Sequence, residues 1–263
     1  MSHRRDPDVA IRCVDLSVAR ASGRGATPVR VVDGIAFTLP HGRTLAIFGP
    51  TGAGKSSLAA VLAGADEPGL AVIGGEGHVE GIPVRRPGRA HRTLTYVTGY
   101  LPQGAGARLP SRLTVAEVIG SPITSRDRRV NQRALAVRVA TLLDEMSLPL
   151  GVTSRYPYEL SAGMRQRVAL ARALVLEPRV LVADDLFANL DVDARRTVRE
   201  AIVRRRDGYG MSTLVVTNDI EAVRELDADV LVMRAGHAVA YGHGVSELLW
   251  TPSGEADRRL IAS

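Results

Sequence analysis

The sequence predicts an α/β protein with a mainly parallel sheet, and three observations carry this prediction. Short aliphatic runs without polar interruption alternate with stretches of helical periodicity, a pattern typical of strands buried on both faces. A glycine-rich loop joins the first such run to the first helical stretch. The middle of the chain, from about residue 104 to 160, has helical patterns and no buried strand pattern. Together these features predict an α/β domain with a helical insertion.

The individual elements follow from residue type and spacing. Aliphatic and β-branched runs predict parallel strands at 44–48, 180–183, 212–217 and 229–233. Helical periodicity predicts helices at 56–62, 114–119, 131–146, 193–206 and 220–225. In the segment 131–146 the apolar residues stand three and four apart, which indicates an amphipathic helix. Glycines cluster at 74–77 and 104–106, and we expect loops at both places.

The basic residues of the chain are nearly all arginine. The 34 Lys and Arg residues outnumber the 28 Asp and Glu residues and give a net charge of +6, yet Lys55 is the single lysine. This excludes a lysine-rich nucleic-acid tail, and a solvated arginine surface is favoured over one attracted to anionic lipid. The one cysteine, Cys13, excludes an intramolecular disulfide. No run of about 18 apolar residues predicts a membrane-spanning helix.

The glycine-rich loop matches the phosphate-binding pattern G-x-x-x-x-G-K-[ST], between a predicted strand and a predicted helix. Its residues are Gly49, Pro50, Thr51, Gly52, Ala53, Gly54, Lys55 and Ser56. Glycines let backbone N–H groups converge on phosphate oxygens, and the helix N-terminus adds a favourable dipole. Lys55 can reach the β- and γ-phosphates as a compact point charge, which a planar arginine does not replace. By itself this P-loop leaves kinases, GTPases, helicases and transport ATPases open.

A second stretch narrows these classes. Residues 156–191 read YPYELSAGMRQRVALARALVLEPRVLVADDLFANLD. This segment resembles the ATP-binding cassette (ABC) family, whose LSGGQ-like signature stands here as Leu160-Ser161-Ala162-Gly163-Met164. The Walker B strand ends at Asp184, and Leu190-Asp191 resembles the D-loop. Tyr100-Leu101-Pro102-Gln103 looks like the Q-loop, Asn218 takes the place of the switch histidine, and the order matches from about residue 11 to 242.

The resemblance implies a fold and a set of roles. It implies one nucleotide-binding domain at 1–263, with a P-loop NTPase (RecA-like) core at 1–103 and 166–263 that includes an N-terminal antiparallel β portion. A helical subdomain with the signature is expected at 104–165. The implied cofactors are ATP and Mg²⁺, with Ser56, Gln103 and Asp184 at the metal and Asp185, Gln103 and Asn218 as catalytic residues. Nucleotide contacts are expected from the P-loop together with Ser57, Arg20, Ser161, Ala162, Gly163 and Asp191.

Four positions depart from the family pattern, and they cluster at the chemistry. The usual glutamate after the Walker B aspartate is Asp185, whose carboxylate sits roughly 1.5 Å further back. A base must come within about 2.6–3.2 Å of its proton, so Asp185 is expected to polarise water less well. Asn218 can hydrogen-bond a γ-phosphate but carries no positive charge. Arg20 replaces the aromatic residue under adenine, and Ala162 replaces the first signature glycine.

These departures lead to a hypothesis and an alternative. The chain's own Walker site hydrolyses ATP poorly, while its signature segment serves a competent site on a different, more complete ABC subunit. Alternatively, Asp185 works adequately with small adjustments. Three functions stay open: a transporter motor, a soluble ABC ATPase acting on nucleic acid, ribosome or cluster assembly, and a regulatory subunit with little turnover. The lack of metal-ligand cysteines and of a long coiled coil stands against the second.

The subfamily resemblance is to importers. Met164 with the following Arg165, Gln166 and Arg167 is similar to peptide and nickel importers, and residues 246–263 resemble their C-terminal segment. It implies transmembrane permease subunits, a second ABC ATPase subunit and a solute-binding protein as partners, with no nucleic acid. The chain is then expected at the cytoplasmic face of the cell membrane, held there by the permease. Residues around 104–130 should contact a permease helix.

Overall fold

The computed structural model describes residues 8–21, 23, 26–85 and 88–244, and the backbone of 249–250. The segment 246–263, apart from those two positions, lies outside the described residues. In chain order the strands are β1 (Val9–Arg20), β2 (Val29–Pro40), β3 (Thr44–Phe48), β4 (Leu70–Val79), β5 (Ile82–Pro83), β6 (Thr98–Leu101), β7 (Val180–Asp184), β8 (Ser212–Val216), β9 (Asp229–Arg234), β10 (His237–His243) and β11 (Leu249–Trp250). The helices are α1 (Lys55–Leu62), α2 (Arg89–Val97), α3 (Val115–Thr124), α4 (Gln132–Glu145), α5 (Ala162–Leu174), α6 (Val192–Tyr209) and α7 (Ile220–Leu226).

The strands form two sheets. One has the order β2-β1-β4-β5 and is antiparallel throughout. The other has the order β11-β10-β9-β3-β8-β7-β6, and its strands β9, β3, β8, β7 and β6 run parallel. The predicted α/β class, with a mainly parallel sheet, an N-terminal antiparallel portion and inserted helices, is confirmed.

The parallel strands are buried on both faces, which explains their uninterrupted aliphatic runs. Leu45 and Ile47 of β3 pack into one hydrophobic cluster with α1, while Ala46 packs into a second cluster with the helices of the insertion. Strand β7 alternates in the same way, with Val182 on the first side and Leu181 on the second. Because side chains alternate across a strand, both layers require apolar residues at successive positions.

Local sequence also explains where the helices begin. Thr114 forms a capping box with Glu117 at the start of α3, and the Asn131 side chain accepts from two backbone N–H groups at the start of α4. Ser161 caps α5, and Asp191 caps α6. Such caps satisfy backbone donors that lack a partner within the helix. The expected subdomain boundary at residue 165 falls inside α5, and the division of the chain into core and subdomain stays a prediction.

The expected loop at 74–77 is wrong, because these glycines lie within β4. The pairing of β1 with β4 shifts register between Val14 and Ser17, so the strands bulge here. Gly75 has φ 65°, and a Cβ on it would lie 1.9 Å from the carbonyl oxygen of Asp15. The glycines therefore allow close approach of two strands. In the part of the chain described, no helix combines the length and apolar character needed to cross a bilayer.

Candidate functional site

The loop between β3 and α1 folds around its glycines. Gly49 has φ 141° and Gly54 has φ 93°, values that residues with a Cβ rarely adopt. A Cβ on Gly49 would lie 2.0 Å from the Met233 carbonyl oxygen, and one on Gly54 would lie 2.0 Å from that of Val31. The loop is thus pressed against β9 and β2. Its two outer glycines are required by space as well as by conformation.

This packing predicts that Gly54→Ala is far more damaging than Gly52→Ala. Gly52 has φ 84°, but a Cβ at this position would meet no atom within 4 Å, so its alanine variant bears only the conformational cost, about 1–2 kcal/mol. Gly54→Ala adds the collision with Val31 and is expected to cost at least about 3 kcal/mol. Urea unfolding of the two variants measures the difference. Equal losses of stability would show that the contact with Val31 is unimportant.

Lys55 begins α1 and points back into the loop. Its side chain is buried, and Nζ donates to the carbonyl oxygens of Gly49 at 2.5 Å and Pro50 at 2.9 Å. Burial lowers the pKa of Lys55, while the charge of Asp184 works in the opposite direction. The ammonium is thus held at the centre of the loop by neutral acceptors. An anionic ligand there would supply the compensating charge that these carbonyls do not.

Asp184 stands at the end of β7, opposite Ser56. The residue is 4% exposed, and its Oδ2 is buried without a hydrogen-bond partner. Burial raises the pKa of Asp184, and a hydrogen bond from the Ser56 hydroxyl and the charge of Lys55 lower it. Carboxylate and hydroxyl oxygens are ligands that suit Mg²⁺. The unpartnered carboxylate oxygen beside a hydroxyl therefore fits a magnesium ion.

We expect Asp184→Asn to stabilise the chain without ligand and to abolish its stabilisation by Mg²⁺ and ATP. The folded-state pKa of Asp184 is raised, so the ionised carboxylate costs stability at pH values above its ordinary pKa. The neutral amide removes that cost but provides a poorer metal ligand. At ligand concentrations about 100-fold above Kd, the lost stabilisation is about 2.7 kcal/mol. Thermal unfolding with and without Mg²⁺ and ATP measures both effects; a variant still stabilised like the parent would contradict the assignment.

Asp185 and Asn218 face the same opening from two strand ends. Asp185 has φ 63°, and its N–H donates to the carbonyl oxygen of Val216 at 2.9 Å. Burial and the charge of Asp219 raise the pKa of Asp185. With its amide nitrogen facing the loop, Asn218 donates to the carbonyl oxygens of Gly49 at 2.8 Å and Thr217 at 3.1 Å. The amide therefore ties the end of β8 to the start of the P-loop.

Arg195 was not singled out in the sequence, yet it joins the segments around this opening. Its Nη1 donates to Oδ2 of Asp219 at 2.6 Å, and its Nε lies 2.9 Å from both carboxylate oxygens of Glu225. The guanidinium also lies 4.5 Å from the ring centroid of Phe187. Burial would raise the pKa of Asp219, but the contacts with Arg195 keep it low. No spacing rule predicts these contacts between distant parts of the chain.

Arg20 lies at the end of β1, next to α1. Its Nη2 contacts Oε2 of Glu67 at 2.7 Å, and its Nε donates to the Ser57 hydroxyl at 3.3 Å. The guanidinium is thus held at the edge of the P-loop by one carboxylate and one hydroxyl. Glu67 is a second residue that the sequence did not single out.

One cavity of about 600 Å³ brings most of the predicted site residues together. Its lining includes Arg20, Thr51, Gly52, Ala53, Gly54, Lys55, Ser56, Ser57, Gln103, Asp184, Asp185 and Asn218. Gly49 and Pro50 contribute carbonyl oxygens to Lys55 from behind. The signature residues Ser161, Ala162 and Gly163 and the D-loop Asp191 are not part of this lining. Gly163 packs instead against the D-loop, where a Cβ would lie 2.9 Å from the carbonyl oxygen of Asn189.

Comparison with known proteins decides the family. A family model described as ABC transporter matches residues 32–188, which is more than half of the chain. The chain belongs to the ABC transporter family. The resemblance seen in the sequence is confirmed, and the ordered set of loops around the cavity is that of an ABC cassette.

Relatives of this ABC chain include transport proteins of different directions. It is 34% identical over 243 residues to the oligopeptide transport ATP-binding protein OppD of Mycobacterium tuberculosis, covering 91% of the chain and 38% of that relative. It is 33% identical over 235 residues to the putrescine export system ATP-binding protein SapF of Escherichia coli, covering 89% of the chain and 84% of that protein. The chain thus spans well under half the length of the OppD relative.

Among solved structures, the ABC chain is similar to the dimeric structure of MJ0796, a bacterial ABC transporter cassette. The TM-score is 0.79 at 21% identity, and the match covers 89% of this chain and 98% of the other. At that identity the likeness shows the fold.

Proposed function

We propose that the chain is the ATP-binding, energy-coupling subunit of an ABC transporter that imports peptides or similar small solutes. The observation that carries this proposal is the cavity in which the P-loop, Gln103, Asp184, Asp185 and Asn218 meet. In this proposal the chain binds ATP, closes on a second ABC subunit and drives a separate membrane permease. The peptide class is supported by the Met164 sequence and by the name of the OppD relative.

Nucleotide binding rests on the chain's own groups. The N–H groups of the loop and the first turn of α1 surround the phosphates, and Lys55 compensates their charge. Mg²⁺, when bound, neutralises charge on the β- and γ-phosphates. Ser56 and Asp184 would hold the ion directly or through water, with Gln103 facing it from the Q-loop.

A dimer is proposed because the signature segment lies apart from the chain's own cavity. Ser161 and Ala162 are exposed at the N-terminus of α5, where free N–H groups and a hydroxyl can bind a phosphate. In this arrangement they contact ATP held by the opposing subunit. Asp191, which caps α6 next to them, would lie at the same interface.

A second cavity supports docking of a permease. It measures about 500 Å³ and lies between the Q-loop, α3 and α5, with Tyr100, Leu109 and Pro122 among its apolar walls. The charged residues that line it are all arginines: Arg108, Arg126 and Arg172. An amphipathic helix with acidic side chains would complement such walls. Docking there places the chain at the cytoplasmic face of the membrane, and a solute-binding protein would deliver the solute outside.

Co-purification tests the transporter proposal. Expressed at native levels and extracted in detergent, the tagged chain should retain a multi-span permease and a second ABC subunit with glutamate and histidine at the positions of Asp185 and Asn218. A chain recovered free of membranes in every fraction would favour the soluble ABC ATPase. A complex with ATP bound but no turnover at either site would favour the regulatory subunit.

A further inference from the structure

Helix α2 presents a basic face to solvent. Arg89, Arg92 and Tyr96 stand three or four residues apart, so they lie along one side of the helix. Both arginines are exposed, and Tyr96 is 53% exposed. The opposite side anchors the helix, since Leu94 is 1% exposed and packs into the core. The outward position of these side chains is therefore set by the packing of α2.

Arg126 completes this face from the end of α3. Its Nη1 donates to the carbonyl oxygen of Arg92 at 3.1 Å, and its Nη2 donates to the carbonyl oxygen of Thr95 at 2.8 Å. The guanidinium lies 5.8 Å from the centroid of the Tyr96 ring. These residues line an open cavity of about 660 Å³. We call Arg89, Arg92, Tyr96 and Arg126 the α2 basic face.

The α2 basic face carries positive charge without a carboxylate partner. Within the described ranges, none of its three arginines forms an ion pair, whereas Arg195 and Arg205 elsewhere are paired with carboxylates. The nearby Asp127 accepts from the backbone N–H of Arg129 at 2.8 Å. All acceptors of Arg126 are neutral, so its full charge remains available to a ligand.

We propose that the α2 basic face binds the phosphate groups of anionic phospholipids. Guanidinium groups pair with phosphate oxygens in bidentate geometry, and tyrosine is favoured at membrane–water interfaces. Arg126 also lines the cavity assigned to the permease, so the face continues directly from that groove. The proposal rests on that assignment, because a surface beside a permease groove lies next to the bilayer. A nucleic acid is less suited, since the face spans one short helix and offers a single aromatic ring for stacking.

Vesicle sedimentation of the full chain tests the proposal. The chain should bind vesicles of phosphatidylcholine mixed with phosphatidylglycerol and not vesicles of phosphatidylcholine alone. Each arginine near an anionic surface contributes about fivefold in binding. The variant Arg89→Gln/Arg92→Gln, which disturbs no described side-chain contact, should therefore bind about 25-fold more weakly. Arg126→Gln should weaken binding about fivefold, provided that thermal unfolding shows an intact fold.

The matched control is Arg12→Gln/Arg133→Gln, which removes the same charge at two exposed arginines away from α2. It should bind anionic vesicles within about twofold of the parent; an equal loss in both double variants would mean a general charge effect and overturn the proposal. Absence of binding to anionic vesicles would also overturn it, as would stronger, Arg89- and Arg92-dependent binding to a single-stranded oligonucleotide. ATP binding and permease co-purification, measured on the same variants, report separately on the proposed transporter function.

Discussion

The double variant Asp185→Glu/Asn218→His is expected to raise the ATPase rate of the isolated chain by about 10²-fold. The longer glutamate brings a carboxylate closer to the attacking water, and a positioned general base contributes about 10²–10⁴-fold. Histidine at position 218 can carry a positive charge toward the γ-phosphate, whereas Asn218 is neutral and tied to the Gly49 carbonyl. Steady-state release of phosphate at saturating Mg²⁺ and ATP measures the gain.

Two controls separate this gain from other effects. Lys55→Ala in the double variant should return the rate to background, since it removes nucleotide binding at the same site. Asp185→Asn in the parent should change the rate little if Asp185 is a poor base. An unmodified chain that alone turns over several ATP per second, a rate usual for enzymes, would refute the idea of an impaired site.

Replacement of Lys55 is expected to weaken ATP binding by about 10- to 100-fold, with arginine no better than alanine. A hydrogen bond to a charged group contributes about 1.5–3 kcal/mol, which corresponds to that range. Arginine keeps the charge, but Lys55 is only 8% exposed and its Nζ fits between two carbonyl oxygens. A branched guanidinium requires more room than this loop offers. Titration with a fluorescent ATP analogue measures the affinity.

The comparison of Lys55→Arg with Lys55→Ala is the informative one. Thermal unfolding without nucleotide shows whether each variant remains folded, and Arg12→Gln, at an exposed site on β1, serves as the reference. If Lys55→Arg bound ATP as tightly as the parent, the single lysine would have no special role. The composition would then reflect only a general preference for arginine.

The strands and the P-loop could be predicted because their determinants are local. Strands β3, β7, β8 and β9 end within one residue of the predicted runs, since a parallel strand covered on both faces needs consecutive apolar residues. Asn131 and Ser161 marked helix starts through their caps. The positions of Asp184 and Lys55 at one cavity followed from strand order.

Other features depend on contacts between distant residues, and the sequence did not reveal them. The glycines at 74–77 were interpreted as a loop, because nothing near them shows that β1 approaches closely enough to require Gly75. Arg195 and Glu67 each pair with residues more than twenty positions away. The chemical roles of the site residues stay predictions, since they depend on ligands and a second subunit.

Helix α5 connects two surfaces with different tasks. Arg172, near its C-terminal end, lines the groove proposed for the permease, while Ser161 caps the end that carries the signature. The ten residues between them span about 15 Å of continuous helix. A tilt of about 10° about the groove end would therefore move Ser161 by roughly 3 Å, about the length of a hydrogen bond. The helix acts as a lever whose small rotation makes or breaks phosphate contact.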